Sequence, residues 1–390
     1  MLQLSLLLLT ALAPSWFEAN NSAGPWNVSN LKNLKIEPVW GESKNGVKEV
    51  YYQGENYKGK PTKVFAYYGK PEGQGPFPAV LLVHGGGGKA FPDWVKHWNK
   101  RGYCALAMDL AGNGPNGRLP DGGPGQGDEE KFLNFQNDTI KDMWTYHAVA
   151  AVIRGHSMIA SFPEVDRNKV VVTGISWGGY LTCIIAGLDD RLKAAVPVYG
   201  CGFLHENSVW KESRLDKMDV QRRLNWVRNF DPSSYLPNVG CPIMFINGTN
   251  DFAYPLDSYK KCYDLVKEKK TLSIKVRMPH GHIWTFKEVD AFIDSHVKNG
   301  IPLVKLSGLE TKDGEAIVKF SSSVPVKSAM LNYAINDGTW QKRQWESVKA
   351  NLSEGNASAK IPMGKPIVYY ISVIDDRGLE VSSNHLISPC

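Results

Sequence analysis

Residues 170–179, VVVTGISWGG, read as an apolar strand that runs into a helix through the pattern G-x-S-x-G. The turn is so sharp that its apex residue must take strained backbone angles, and glycines two positions to either side let the neighbouring chains pass it. Ser176 is therefore expected above a sheet edge, at the N-terminus of the next helix, with its hydroxyl presented as a nucleophile. The competing reading is an incidental glycine-rich turn, but strand before and helix after supply the context that the motif requires.

Working outward, apolar runs alternate with longer helical patterns from about residue 77 to 300, the signature of a parallel sheet covered on both faces. Strands are predicted at 79–83, 103–109, 169–174, 194–198, 242–247 and 272–278, with an antiparallel pair at 47–53 and 63–68 feeding the sheet edge. Ile140, Met143, Trp144, Ala148, Ala151 and Val152 recur at helical spacing and predict one buried stripe. The fold class is thus α/β, doubly wound and mostly parallel, over residues 30–300. Residues 201–240, rich in Trp, Arg and Asn, are expected to form a small helical cap. Residues 110–130 hold seven glycines and three prolines; a loop that long inside a compact domain is usually functional or mobile. It follows a strand's C-terminal end, the side on which open α/β sheets bind ligands.

After residue 300 the pattern changes to short alternating strands, predicted at 317–321, 331–335, 340–345, 367–373 and 379–382. Asn336-Asp337-Gly338 and the run from Asp375 to Gly378 supply hairpin turns. Residues 301–390 are read as a β-sandwich, fibronectin-like in size.

A serine hydroxyl is a weak nucleophile until a base takes its proton, and that base needs a third group to hold its tautomer. Behind this elbow the partners come later in the chain, in the order Ser, acid, His, each just past a strand. Asp251, in NGTNDFAYP, and His282, in RMPHGHIW, occupy those places. Each has a rival. Asp257 opens a helix, where a carboxylate more often serves the first turn. His280 is the alternative base; His282 is preferred because the Gly281-His282 pair lets the loop turn back toward the serine. His84-Gly85-Gly86-Gly87-Gly88 follows a strand, and its amides are suited to hold an oxyanion together with Trp177 N–H. Gly86 is the preferred donor, with Gly85 and Gly87 next, and His84 is expected to brace the loop. Neither the Lys-Ser/Thr of a P-loop nor GxGxxG is present. Trp177, Trp210 and Trp284 are candidates to line a sugar-sized pocket.

Composition narrows the function. With 45 Lys+Arg against 39 Asp+Glu the net charge is +6, too small in a chain of 390 residues to imply nucleic acid without a basic cluster, and the basic runs sit in mixed sequence. The cysteines at 104, 183, 201, 241, 262 and 390 show no metal-binding spacing. Residues 1–13 are almost all apolar and end in Ala11-Leu12-Ala13, the small-x-small form of a signal-peptidase site, although no Lys or Arg precedes Lys32. The run is shorter than the roughly 20 residues that span a bilayer. Residues 1–19 are therefore expected to be a signal peptide, and the protein to be secreted or periplasmic.

HGGGG, GISWGGY, NGTNDFAYP and HGH, in that order, resemble the α/β-hydrolases that include acetyl xylan esterases, dienelactone hydrolase-like proteins and prolyl oligopeptidase catalytic domains. The stretch FPEVDRNKVVVTGISWGG is similar to the approach to the nucleophile in acetyl xylan esterases, while GISWGGY is common in the peptidase branch. Dienelactone hydrolases carry Cys where this chain has Ser176, and the oligopeptidases a large N-terminal propeller. The resemblance covers roughly residues 47–300. It implies a serine carboxylic-ester hydrolase that needs no metal or organic cofactor and takes a small-molecule or carbohydrate ester. The alternatives are a peptidase acting on short peptides, and a non-catalytic carbohydrate-binding or adhesion protein, against which the complete triad argues.

Overall fold

The antiparallel entry to the sheet is β1 (Val39–Lys44), β2 (Val47–Gln53) and β3 (Lys63–Gly69). Six parallel strands follow: β4 (Phe77–Val83), β5 (Cys104–Met108), β6 (Val165–Ile175), β7 (Ala194–Val198), β8 (Ile243–Gly248) and β9 (Lys270–Lys275). The computed structural model describes residues 24–267 and 269–388, so the expected signal peptide and Cys390 lie outside the described residues. The strands lie in the order β1-β2-β3-β5-β4-β6-β7-β8-β9. β5, β7 and β8 are buried along their whole length, which is why they read as unbroken apolar runs.

Five helices cover the sheet, α1 (Pro92–Lys100), α2 (Trp144–Ile159), α3 (Trp177–Leu188), α5 (Leu256–Leu265) and α6 (Lys287–Val297), and α4 (Val220–Phe230) lies in the stretch between β7 and β8. α2, α3 and α5 share one core with Leu81 and Val172, whereas α1 and α6 share the other with Leu82 and Val171. Successive strand residues thus feed opposite layers, as the period of two requires. α2 departs from the single stripe predicted: every residue but Ser157 is buried. Its outer side is covered by the segment from Gly24 to Ile36, where Trp26 stacks on Tyr146 at 6.1 Å and Ser157 Oγ donates to the Leu31 carbonyl at 3.1 Å.

The C-terminal strands are β10 (Glu315–Ser321), β11 (Val326–Ile335), β12 (Trp345–Lys349), β13 (Asn356–Lys360), β14 (Ile367–Asp375) and β15 (Glu380–Ser382). β15 pairs antiparallel with β9 through Leu272 and Ser382, and β14, β11 and β12 continue outward, so one sheet of 14 strands runs through both halves of the chain. β10 and β13 belong to a smaller second sheet. The strand predicted at 340–345 is instead a 3-10 turn, Trp340–Lys342, with β12 beginning at Trp345. Arg343 lies over the Trp340 ring at 3.7 Å, a contact that folds the segment on itself.

The chain leaves β4 for β5 on one side and reaches β6 on the other. The crevice outside the carboxyl ends of β4 and β6 is therefore the topological switch point. α3, which begins there, is anchored at its far end by Asp189. That buried carboxylate accepts from Arg191 Nε at 2.8 Å and Nη2 at 2.7 Å, and pairs with His156 Nδ1 at 2.8 Å. Burial alone would raise its pKa, but the bonds from Arg191 and His156 outweigh that and hold it well below the usual carboxylate range. Asp189→Asn is expected to destabilise the fold by about 3–5 kcal/mol at pH 7. A depressed carboxylate stabilises above its unfolded pKa, here 3.8, and loses that contribution as pH falls further. Urea midpoints of the two proteins should accordingly differ widely at pH 7 and converge below pH 4.

Candidate active site

β6 delivers Ser176 into the switch-point crevice, and Ser176 holds the strained angles expected at the apex, φ 55° and ψ −122°. Its amide donates to the Val198 carbonyl at 3.0 Å and its carbonyl accepts from Tyr180 N–H at 2.9 Å, which fixes the elbow at both ends. The neighbouring glycines are required by close approach. A Cβ on Gly178 would collide with the Val83 carbonyl, and one on Gly174 with the Gly178 carbonyl.

His280 is the imidazole that meets the serine. Its Nε2 lies 2.9 Å from Ser176 Oγ and its Nδ1 2.7 Å from Asp251 Oδ2. Asp251 is 3% exposed, and its Oδ1 accepts from the amides of Ala253 at 2.9 Å and Tyr254 at 2.8 Å. The carboxylate is thus aimed by its own loop. Asp257, the rival acid, instead accepts from Asn207 Nδ2 at 2.8 Å and from the Ser258 amide at 2.9 Å, a helix-start role.

The preference for His282 is corrected by this geometry. The left-handed residue that turns the loop is Arg277 (φ 51°), not Gly281, and its amide donates to Thr249 Oγ1 at 2.9 Å. His280 is therefore delivered to Asp251 two residues earlier than the Gly-His pair suggested. Tyr199 then holds the next turn: its hydroxyl donates to the carbonyls of Gly281 and Ile283, and its ring lies 4.4 Å from His280. His282 is left exposed on the rim, 5.4 Å from the Phe91 ring.

The loop after β4 packs against the elbow. A Cβ on Gly85 would lie 2.9 Å from Ser176 Cβ, and one on Gly86 2.8 Å from Trp177 Cδ1. Gly87 N–H donates to Gln126 Oε1 at 3.0 Å and Gly88 N–H to the Gly85 carbonyl at 3.1 Å. The amides of Gly86 and Trp177 have no acceptor among the described residues, so these two expected donors remain available. His84 braces the loop as expected: Nε2 accepts from the Leu110 amide at 2.9 Å, which leaves Nδ1–H to donate to the Gly85 carbonyl at 2.7 Å. Burial lowers the His84 pKa and keeps the ring neutral. The glycine-rich loop is thus tied to the site through Gln126, a residue that its composition did not single out.

An aromatic wall stands beside Ser176. The Trp177 ring lies 4.5 Å from Trp210, 5.6 Å from Trp144 and 5.9 Å from Phe132, and Trp210 lies 5.3 Å from Tyr254. Tyr254 also stacks on His280 at 6.2 Å, and its buried hydroxyl faces the Ser176 side chain. Trp284 is separate, packed against Phe91 at 4.8 Å and Trp94 at 5.8 Å. The expected cap is present as α4 with flanking turns. It grips the end of the glycine-rich loop through Trp226 Nε1, which donates to the Lys131 carbonyl at 2.8 Å, and Arg222 Nε, which donates to the Phe135 carbonyl at 2.8 Å. The C-terminal half braces the other side: Asn250 Nδ2 donates to the carbonyls of Gln341 at 3.1 Å and Arg343 at 2.8 Å, and Arg277 Nη2 to that of Trp345 at 2.9 Å.

Comparison with known proteins agrees with this architecture. Acetyl esterase Axe7A of Xylanibacter ruminicola is 25% identical over 239 residues, covering 58% of this chain and 54% of the relative. A protein of Aspergillus terreus named "Probable dipeptidyl-peptidase 5" is 24% identical over 345 residues, covering 81% of this chain and 44% of the relative. The chain spans about half the length of these relatives. An acetyl xylan esterase from Paenibacillus sp. R4 has the same fold, with a TM-score of 0.57, 22% identity, and coverage of 69% of this chain and 91% of that one. Residues 205–345 match the PhoPQ-activated pathogenicity-related protein family. Residues 25–220, half of the chain, match the acetyl xylan esterase (AXE1) family, and the chain belongs to that family of α/β-hydrolases.

Proposed function

We propose that this chain hydrolyses carboxylic esters through an acyl-enzyme on Ser176, with a small acyl ester of a carbohydrate as the substrate class. The observation that carries the reading is one imidazole within hydrogen-bond reach of both Ser176 and the buried Asp251. In the tautomer that this pairing selects, Nδ1–H donates to Asp251 and Nε2 accepts from Ser176 Oγ. His280 takes the hydroxyl proton as Oγ attacks the ester carbonyl, and the amides of Gly86 and Trp177 receive the oxyanion. His280 then gives the proton to the leaving alcohol. Water repeats the sequence on the acyl-serine and returns the free acid. Asp251 stays ionised and stabilises the imidazolium; each oxyanion donor is worth roughly a hundred- to a thousandfold in rate.

Family membership and the esterase relative support the ester reading, and the dipeptidyl-peptidase relative keeps the peptidase reading in view. An alkoxide leaves more readily than an amine anion, and a triad without dedicated positioning of a leaving amine favours esters. kcat/KM for acetyl esters, acetylated sugars included, is therefore expected to exceed that for prolyl or dipeptidyl anilides by at least about a hundredfold, or roughly 2.7 kcal/mol. Equal efficiency on the two classes would replace the esterase reading with the peptidase one.

A further inference from the structure

Lys131 is the charged group of the site that the reaction just described leaves unused. It lies in a single turn of π-helix, Glu129–Leu133, closed by a 2.9 Å bond from the Asn134 amide to the Glu129 carbonyl. The turn sends Lys131 and Phe132 inward, 6% and 0% exposed, while Leu133 faces out. The ammonium lies 4.7 Å from the Trp177 ring and 5.4 Å from the Trp144 ring. Trp177 follows the nucleophile directly, and its Cδ1 edge packs on Gly86, so a single indole separates the ammonium from the oxyanion loop.

No carboxylate lies within ion-pair distance of Lys131 Nζ among the described residues. Asp128, a turn earlier, is paired with Arg214, and Glu130 acts on Lys131 only at longer range. Burial pushes the ammonium pKa down to about 8, against the opposing pull of Asp128 and Glu130, so the group remains largely charged at neutral pH. Desolvating an ammonium is costly, and contacts with two indole rings return only part of that cost. A Met or Leu would fill the same space without that deficit. An unpaired buried cation one indole away from the loop beside Ser176 is instead what an anionic ligand group would complete.

We propose that Lys131 is the counter-charge of a carboxylate subsite at Trp177, the residue that follows Ser176, so that the preferred ester carries a carboxylate on its alcohol half or its acyl half. This rests on the ester-hydrolase reading above. The test uses the full chain and two matched pairs of substrates. For the alcohol half, acetate release is followed from an O-acetylated methyl glucuronoside with its carboxyl free or blocked as the methylamide. For the acyl half, nitrophenol release is followed from the mono-4-nitrophenyl ester of adipic acid, free or as its methylamide.

The expected result is a kcat/KM at least about tenfold higher for the free acid in one pair, equivalent to roughly 1.4 kcal/mol. That pair identifies the half that carries the charge. Lys131→Met should bring the ratio close to one, and Lys131→Arg should retain a preference for the acid. A wild-type ratio of one or below in both pairs overturns the subsite whether or not the variants fold. A ratio unchanged in Lys131→Met, or an equal fall on acid and amide, also overturns it and leaves Lys131 as packing. If the hydrolase reading itself fails, none of the four substrates turns over and a fluorophosphonate does not label the protein; if only the subsite fails, the neutral amides are still cleaved.

Discussion

Ser176→Ala is expected to lower kcat on 4-nitrophenyl acetate by about ten-thousandfold to a millionfold, with little change in urea midpoint. The size of the loss follows from the position of Oγ. It is the one side-chain oxygen held at the apex of the elbow, 2.9 Å from an imidazole nitrogen. Removing it leaves the oxyanion amides and the aromatic wall in place, so a residual rate above that of water should survive. The backbone should tolerate the change, because alanine can take the strained φ of 55° at no greater penalty than serine. Circular dichroism together with steady-state kinetics checks both halves of the expectation. A variant that keeps more than about a tenth of the wild-type kcat would remove Ser176 from the chemistry.

His280→Ala should lose at least about a thousandfold in kcat, whereas His282→Ala should stay within about tenfold of wild type. The two imidazoles are separated by one glycine but have different surroundings. His280 is held between Asp251 and Ser176 and flanked by Tyr199 and Phe252, at 4.4 and 4.9 Å between rings. His282 lies on the rim and touches Phe91. The reverse order of losses would transfer the base to His282. An equal collapse in both variants would show that the loop between them, rather than one imidazole, had been lost.

Much of this architecture was legible in the sequence because burial leaves a plain pattern. Residues 79–83 and 194–198 are strands covered on both faces, and such strands keep unbroken apolar runs. The elbow was legible because three glycines and one serine meet a steric demand that few other residues satisfy. β1 was missed for the opposite reason: all six of its residues are exposed, so no apolar alternation marks it. The segment at 340–345 looked like a strand, but its aromatic and charged residues fold onto each other and onto Asn250. The choice between His280 and His282 depended on a loop path fixed by Tyr199, Thr249 and Arg277, which lie on three different segments. Lys131 carried no signal at all. It is one lysine in a loop, and the rings around it come from two later helices, α2 and α3.

The C-terminal strands also take on a meaning that the sequence did not provide. Read alone they suggest an appended module, yet β15 extends the parallel sheet and the turn at Trp340–Lys342 holds the loop that carries Asp251. The two halves therefore share one sheet, and the loops that carry Asp251 and His280 are buttressed from the C-terminal side.

The most direct test of acyl transfer through Ser176 is peptide mapping by mass spectrometry after reaction with a fluorophosphonate. The adduct is expected on the peptide carrying Ser176, with an undiminished rate in His282→Ala and a strongly reduced rate in His280→Ala. Absence of an adduct from the wild-type protein, or an adduct on another residue that persists in Ser176→Ala, would contradict the assignment.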